Sequence, residues 1–378
     1  MSTSLSVASR RGTRGRKCEK RGEKSPLFLF LLFKIYFLKF EKWVDFWRWL
    51  WYTIIVVKGK AKEAQSAKVS QLANKRRKEE TKMKYDRRRK YYLVLDCETA
   101  TLPLVSNYDE QQRKNISISK PLIYDLGWTV IDKAGNVYAR KNFLISEIFS
   151  VPSIFNTAYY VAKRPLYIEK LNRGEIVLTD WKTAAAELVK DMGAVEAVGA
   201  YNAMFDFKKA IPFTELYINK LYSNDFNDWM KEQAYICKRI AENVGRGRDE
   251  NARGFEKDIF RFRGQVYRLF DLWGLSCRHI IKNDYYRNLC IVNGWQTESG
   301  KYFKTSAETT YRFVKGENDF EEFHTALDDA NIESEIFHLI VKKTKGKFEM
   351  GIDFFPFQQL GTIAEFMEKI SKKVENGG

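Results

Sequence analysis

An α/β fold is predicted for this chain, with a mixed-direction sheet of five strands flanked by helices, and three observations predict it. Apolar segments of strand length follow one another between residues 91 and 145, divided by a tight turn. Amphipathic segments of helix length come next, and two further strand-length apolar runs, 196–201 and 266–271, are interleaved with them. A meander followed by alternating helices and strands calls for one sheet whose neighbours run both ways, covered by helices.

The elements can be taken in order. Residues 91–96 (YYLVLD) make the first strand and 122–131 (LIYDLGWTVI) the second. The turn DKAGN joins the second to 137–145 (VYARKNFLI) in a hairpin. Residues 179–192 (TDWKTAAAELVKDM) have helical spacing, with Thr179 placed to cap the N-terminus. The fourth strand, EAVGAY (196–201), leads into a helix that begins near Asn202. After the fifth strand, 266–271, helical stretches are predicted at 272–281, 305–315 and 326–343. The charged segment 225–265, with GRGRDENARG at its centre, reads as a mobile insertion. A last helix, GTIAEFMEKISKKV, falls in the tail 345–378.

The 378 residues carry a net charge of +17, unevenly distributed. Residues 1–90 hold 26 Lys and Arg against 8 Asp and Glu, whereas the rest holds 39 against 40. Basicity therefore belongs to the N-terminal region, and any nucleic-acid groove in the remainder is a local patch. With 44% hydrophobic residues the chain can build a core, which excludes global disorder. Five scattered cysteines without a Cys-x-x-Cys pair argue against a zinc ribbon or a disulfide framework and for a reducing compartment. Residues 27–57 are apolar but broken by Lys34, Lys39, Glu41, Lys42, Asp45 and Arg48. A spanning helix wants about 20 mostly apolar residues with few charges. Residues 1–82 are thus open to three descriptions: a disordered basic extension, an interfacial helix rich in Trp and Lys, or an upstream extension that arises from start-site choice. The compact domain would run from Met83 to 344. Through residues 1–82 a peripheral contact with a membrane or with nucleic acid is expected.

Three stations carry the chemistry. In Asp96-Cys97-Glu98, alternation along a strand puts both acids on one face and turns Cys97 to the other. Two such carboxylates repel unless a cation sits between them, and hard divalent ions prefer these oxygens. In YNAMFD (201–206), Asn202 can cap the helix and Asp206 falls in its first turn, where an acid also suits the helix dipole. In HTALDDA (324–330), His324 and Asp329 converge only if His324 lies in the loop before the helix. Thr325 and Asp328 have the spacing of a capping box, which leaves Asp329 as the better ligand. Each station alone has an ordinary structural explanation as a strand end or helix cap. Asp-x-Asp phosphatases also place acids after a strand, but they need an aspartate where this chain has Glu98. His279 and His338 sit in apolar helical contexts, and Asp271 suits a helix N-cap.

Together and in this order, DCET, NAMFD and HTALDDA resemble the motifs of the DnaQ-like 3′–5′ exonuclease superfamily in its histidine-containing (DEDDh) branch. Those motifs are Asp-x-Glu-Thr, Asn-x-x-Phe-Asp and His-x-Ala-x-x-Asp. The resemblance covers roughly residues 88–343 and is strongest to phage-encoded members; the stretches 100–120 and 225–265 are longer than in compact members. It implies a ribonuclease H-like fold, with Asp96, Glu98, Asp206 and Asp329 holding two Mg²⁺ or Mn²⁺ ions about 3.5–4 Å apart. It implies His324 as general base, with an ordinary pKa of about 6.5 suited to that task. Thr99, Asn202 and Phe205 would contact the terminal nucleotide of single-stranded DNA or RNA, and nucleoside 5′-monophosphates would be released. A polymerase is among the partners it allows, and the host cytoplasm is the implied location. The alternative is a catalytically silent binding or regulatory module on the same fold.

Overall fold

The computed structural model describes residues 89–105, 108–242 and 256–375, all within one compact unit, Glu79–Gly378. Residues 1–82 lie outside the described residues. The fold is a mixed α/β arrangement of a multi-stranded sheet flanked by helices. Its strands are β1 (Tyr91–Thr101), β2 (Pro121–Asp132), β3 (Val137–Ile145), β4 (Val177–Thr179), β5 (Ala197–Ala200), β6 (Ile259–Phe262) and β7 (Gln265–Asp271). They form one seven-stranded sheet in the order β4-β3-β2-β1-β5-β7-β6. The five predicted strands are the inner five. The sheet has seven because short edge strands add to each side: β4 parallel to β3, and β6 antiparallel to β7. β4 has only three residues and two of them, Val177 and Leu178, are exposed, so it lacks the buried apolar run that marks a strand in sequence.

β1 and β2 are central and buried on both faces, which is why they read as near-continuous apolar runs. On one face Leu93, Leu95 and Trp128 pack with α2 (Trp181–Met192) and α3 (Ile211–Leu221), whereas α1 (Arg164–Asn172) follows the β3 end. On the other, Tyr92, Val94 and Phe270 pack against Phe337 and Ile340 of α6 (Ala326–Lys343). The Phe270 and Phe337 rings stack with centroids 4.4 Å apart. That close approach has a local cause in β5, where a Cβ on Gly199 would lie 2.2 Å from the Phe270 ring.

Several predicted boundaries shift for identifiable reasons. Helix α2 is capped by Asp180, whose carboxylate accepts the Thr183 N–H at 2.7 Å, because Thr179 is still in β4. The region predicted as a mobile insertion contains α4 (Phe226–Glu242), with Trp229 and Cys237 buried in the core, and strand β6. Residues 243–255 lie outside the described residues. Helix α5 (Ala307–Lys315) is capped by Ser306. The C-terminal stretch belongs to the same core: Gly351 bridges to Phe270, and Phe366 of α7 (Ile363–Glu375) is buried.

The expected membrane contact needs correcting. No helix among the described residues is long and apolar enough to cross a membrane, and residues 1–82, on which that expectation rested, lie outside the described residues. The four described cysteines are free and buried.

Candidate metal centre

β1 does not stop at its acids. It runs on to Thr101, hydrogen-bonded to β2 along its length, but β5 pairs with it only over Tyr92–Val94. Beyond Val94 one side of β1 is therefore free of a strand, and Asp96 and Glu98 project there from the α6 face. The register places Asp96 opposite Gly127 and Glu98 opposite Asp125, with a bulge just after Glu98. Bulges re-aim side chains next to functional sites.

The chain leaving β5 fills the vacated side. Asn202 accepts the Phe205 N–H at 3.4 Å and caps a single helical turn, Ala203–Phe205. Asp271 at the end of β7 accepts the Ala203 and Gly274 N–H groups, each at 3.3 Å, so it is a cap for two turns and not a ligand. Asp206 then opens a π-helical turn, Asp206–Ala210, an irregularity frequent at functional sites. Asp206 is 3% exposed, and its Oδ1 accepts a hydrogen bond from the Cys97 thiol at 2.8 Å. Cys97 is thus not turned away from all the acids. Asp206 comes from the turns after β5, within reach of the Cys97 thiol.

His324 lies in the loop before α6, with a left-handed backbone (φ 48°) that is uncommon outside glycine. Its ring stacks on Tyr160, with centroids 4.6 Å apart and planes 14° from parallel. Lys163 donates to the Phe323 carbonyl at 2.5 Å and fixes the residue before it. Nδ1 of His324 lies 3.7 Å from Glu322 and 4.0 Å from Asp329. Thr325 is the N-cap residue of α6, but its hydroxyl donates to Asp328 at 2.6 Å instead of accepting a backbone N–H. The Ala326 N–H goes to Asp125 Oδ2 on β2, 3.0 Å away, and Asn142 of β3 holds the other oxygen. Asp328 is engaged by Lys170 of α1, and Asp329, in the first turn of α6, faces inward.

Asp96, Glu98, Asp206, His324 and Asp329 therefore line one cleft of about 320 Å³, together with Asn202, Phe205, Tyr160, Tyr201, Glu322 and Glu333. Thr99, the next residue along β1, is not among the lining residues. Four lining residues were not singled out from the sequence: Tyr160, Ala307, Glu322 and Glu333. Asp125, the cap of α6, was not either, although a carboxylate in the middle of LIYDLGWTVI is a signal in itself, since buried charge needs a partner.

The acids repel one another in a poorly solvated space. Burial pushes Asp96 well up, and Glu333, Asp206, Asp329 and Glu98 add to it. Glu98 and Glu333 are likewise well above the ordinary carboxylate range, burial first in both. Burial raises Asp206 to about 7, against the hydrogen bond from Cys97, and Asp329 to about 8 with help from Glu322 and Asp328. Burial, followed by the Lys163 charge, lowers His324 below its ordinary value, against Glu308. Its imidazole is neutral near pH 7.

The donor set fits a cation. Glu98, His324 and Asp329 each offer a ligand atom, all within 4.8 Å of one another. Asp329 Oδ1 is buried and has no hydrogen-bond partner, a costly state that a cation would relieve. Glu98, His324 and Asp329 can thus coordinate a metal ion. Comparison with family models, with curated proteins and with solved structures returned no match for this chain.

Proposed function

We propose that this chain is a metal-dependent 3′–5′ exonuclease of the DnaQ-like, DEDDh kind, acting on the 3′ end of single-stranded DNA or RNA and releasing nucleoside 5′-monophosphates. The observation that carries this reading is the convergence of Asp96, Glu98, Asp206, His324 and Asp329, from three segments far apart in sequence, on one cleft. Strand order adds support. The inner five strands run third, second, first, fourth, fifth, with only the second antiparallel, consistent with a ribonuclease H-like sheet.

Two divalent cations, Mg²⁺ or Mn²⁺, would supply Lewis acidity and lower the pKa of the attacking water. The protein's part is to hold them and to move the proton. Asp96, Glu98, Asp206 and Asp329 would hold them, mounted on β1, on the turn after β5 and on the first turn of α6. Without cations these carboxylates would repel a phosphodiester. His324, kept neutral by burial, takes the proton from the attacking water, and stacking on Tyr160 fixes its ring plane. Asn202 and Phe205 border the cleft where a terminal nucleotide would lie, and Phe205 can stack on a base.

The test is digestion of end-labelled single strands with Mg²⁺ and with chelator. Stepwise shortening from the 3′ end, dependent on metal and lost in Asp96→Ala and Asp329→Ala, is the expected result. Unchanged digestion by either variant would remove the assignment.

A further inference from the structure

The four acids of the three motifs do not exhaust the carboxylates of the cleft. Glu333 lies one helical turn after Asp329 on α6, so the two side chains share a face. It is 4% exposed and lines the same cleft as Asp96 and Asp206. Its Oε2 accepts the Tyr201 N–H at 3.2 Å, which ties α6 to the end of β5 just before the turn bearing Asp206. The other groups acting on it are acids: Asp206, Asp329 and Glu322. Accepting one backbone N–H needs no charge, and a buried carboxylate facing other carboxylates is expensive without a cation. The buried Oδ1 of Asp329, one turn earlier and in the same cleft, has no hydrogen-bond partner, a second observation that points to a cation there.

We propose that Glu333 is a fifth carboxylate of the metal centre, joining the other carboxylates that line this cleft in holding a divalent cation. This rests on the reading of the cleft as a cation site, and the test separates the two. Glu333→Gln keeps an acceptor for the Tyr201 N–H and removes only the charge. Titration with Mn²⁺, followed by calorimetry and by the metal-induced rise in Tm, reads binding without relying on turnover. In E333Q the apparent Kd for Mn²⁺ should rise by about 10-fold or more, the scale on which a supporting carboxylate acts. The Tm without metal should stay level or increase, because repulsion is relieved. Glu333→Asp, which keeps the charge, should retain more of the affinity than E333Q. Wild-type Mn²⁺ binding in E333Q would overturn the proposal, as would an equal loss in E333D and E333Q, which would make side-chain length the cause. Asp96→Asn is the control for the underlying reading. If D96N also binds Mn²⁺ like the wild type, the cation site itself fails; if D96N loses binding while E333Q does not, only the role of Glu333 fails.

Discussion

His324 concentrates three separate constraints: a left-handed backbone, a ring stacked on Tyr160, and a pKa held below its ordinary value by burial. Strain of this kind persists where surrounding contacts over-determine it, and it clusters at functional sites. A base has to be unprotonated to act, so turnover should fall as pH drops through the His324 pKa, and that acid limb should lie below about 6.5. Measuring kcat/KM against pH locates the limb. His324→Ala should remove it and lower turnover by about 10²- to 10⁴-fold while Mn²⁺ binding is largely kept. Loss of Mn²⁺ binding in calorimetry would instead make His324 a ligand. The motif residues themselves were legible in the sequence, since alternation and helix caps fix where each carboxylate can point. Glu322, Glu333 and Tyr160 were not, because nothing local distinguishes a loop glutamate, a charged helix residue or a loop tyrosine until the chain folds around it. Cys97 shows the limit of alternation, which gives its direction but not that Asp206 would come to meet it.

The first turn of α6 is the element on which the site depends, and β2 sets its position. Asp125 caps it from 201 residues away in sequence. Gly127, opposite Asp96, lets it approach: a Cβ at this position would lie 2.3 Å from the Leu327 nitrogen. Gly127→Ala should therefore push the turn bearing Asp329 off the sheet, cost about 1–3 kcal/mol in denaturant unfolding, and reduce turnover as well. A fully stable, fully active variant would mean that the turn tolerates displacement. The helix itself, 326–343, was legible from its periodicity. Its cap was not, because Thr325 offered a local solution and the actual partner lies on another strand. The same holds for edge strands β4 and β6, which pairing defines more than their own composition does.

For the molecule as a whole, the buried acids set a balance between stability and site construction. Asp206 and Asp329 have folded pKa values of about 7 and about 8, above their ordinary 3.8. The folded state thus binds their protons more tightly than the unfolded chain does. Their contribution is fully present below about pH 4 and is lost as pH rises through 7 and 8. In chelator, the Tm should fall between pH 6 and pH 8, and Mg²⁺ should restore more of it at pH 8 than at pH 6. Thermal melts at the two pH values, with and without metal, check this. The inner sheet was legible in sequence as five apolar runs, whereas the N-terminal region, with its net basic charge, lies outside the described residues. On the proposed reading, five residues from three segments form a nuclease centre. Its most direct test is digestion of matched, end-labelled single-stranded DNA and RNA by the purified full chain and by Asp96→Ala. Shortening from the 3′ end of at least one substrate, with Mg²⁺ only and in the unaltered chain only, is the predicted result. No digestion of either substrate in Mg²⁺ or Mn²⁺, or equal digestion by Asp96→Ala, would contradict it.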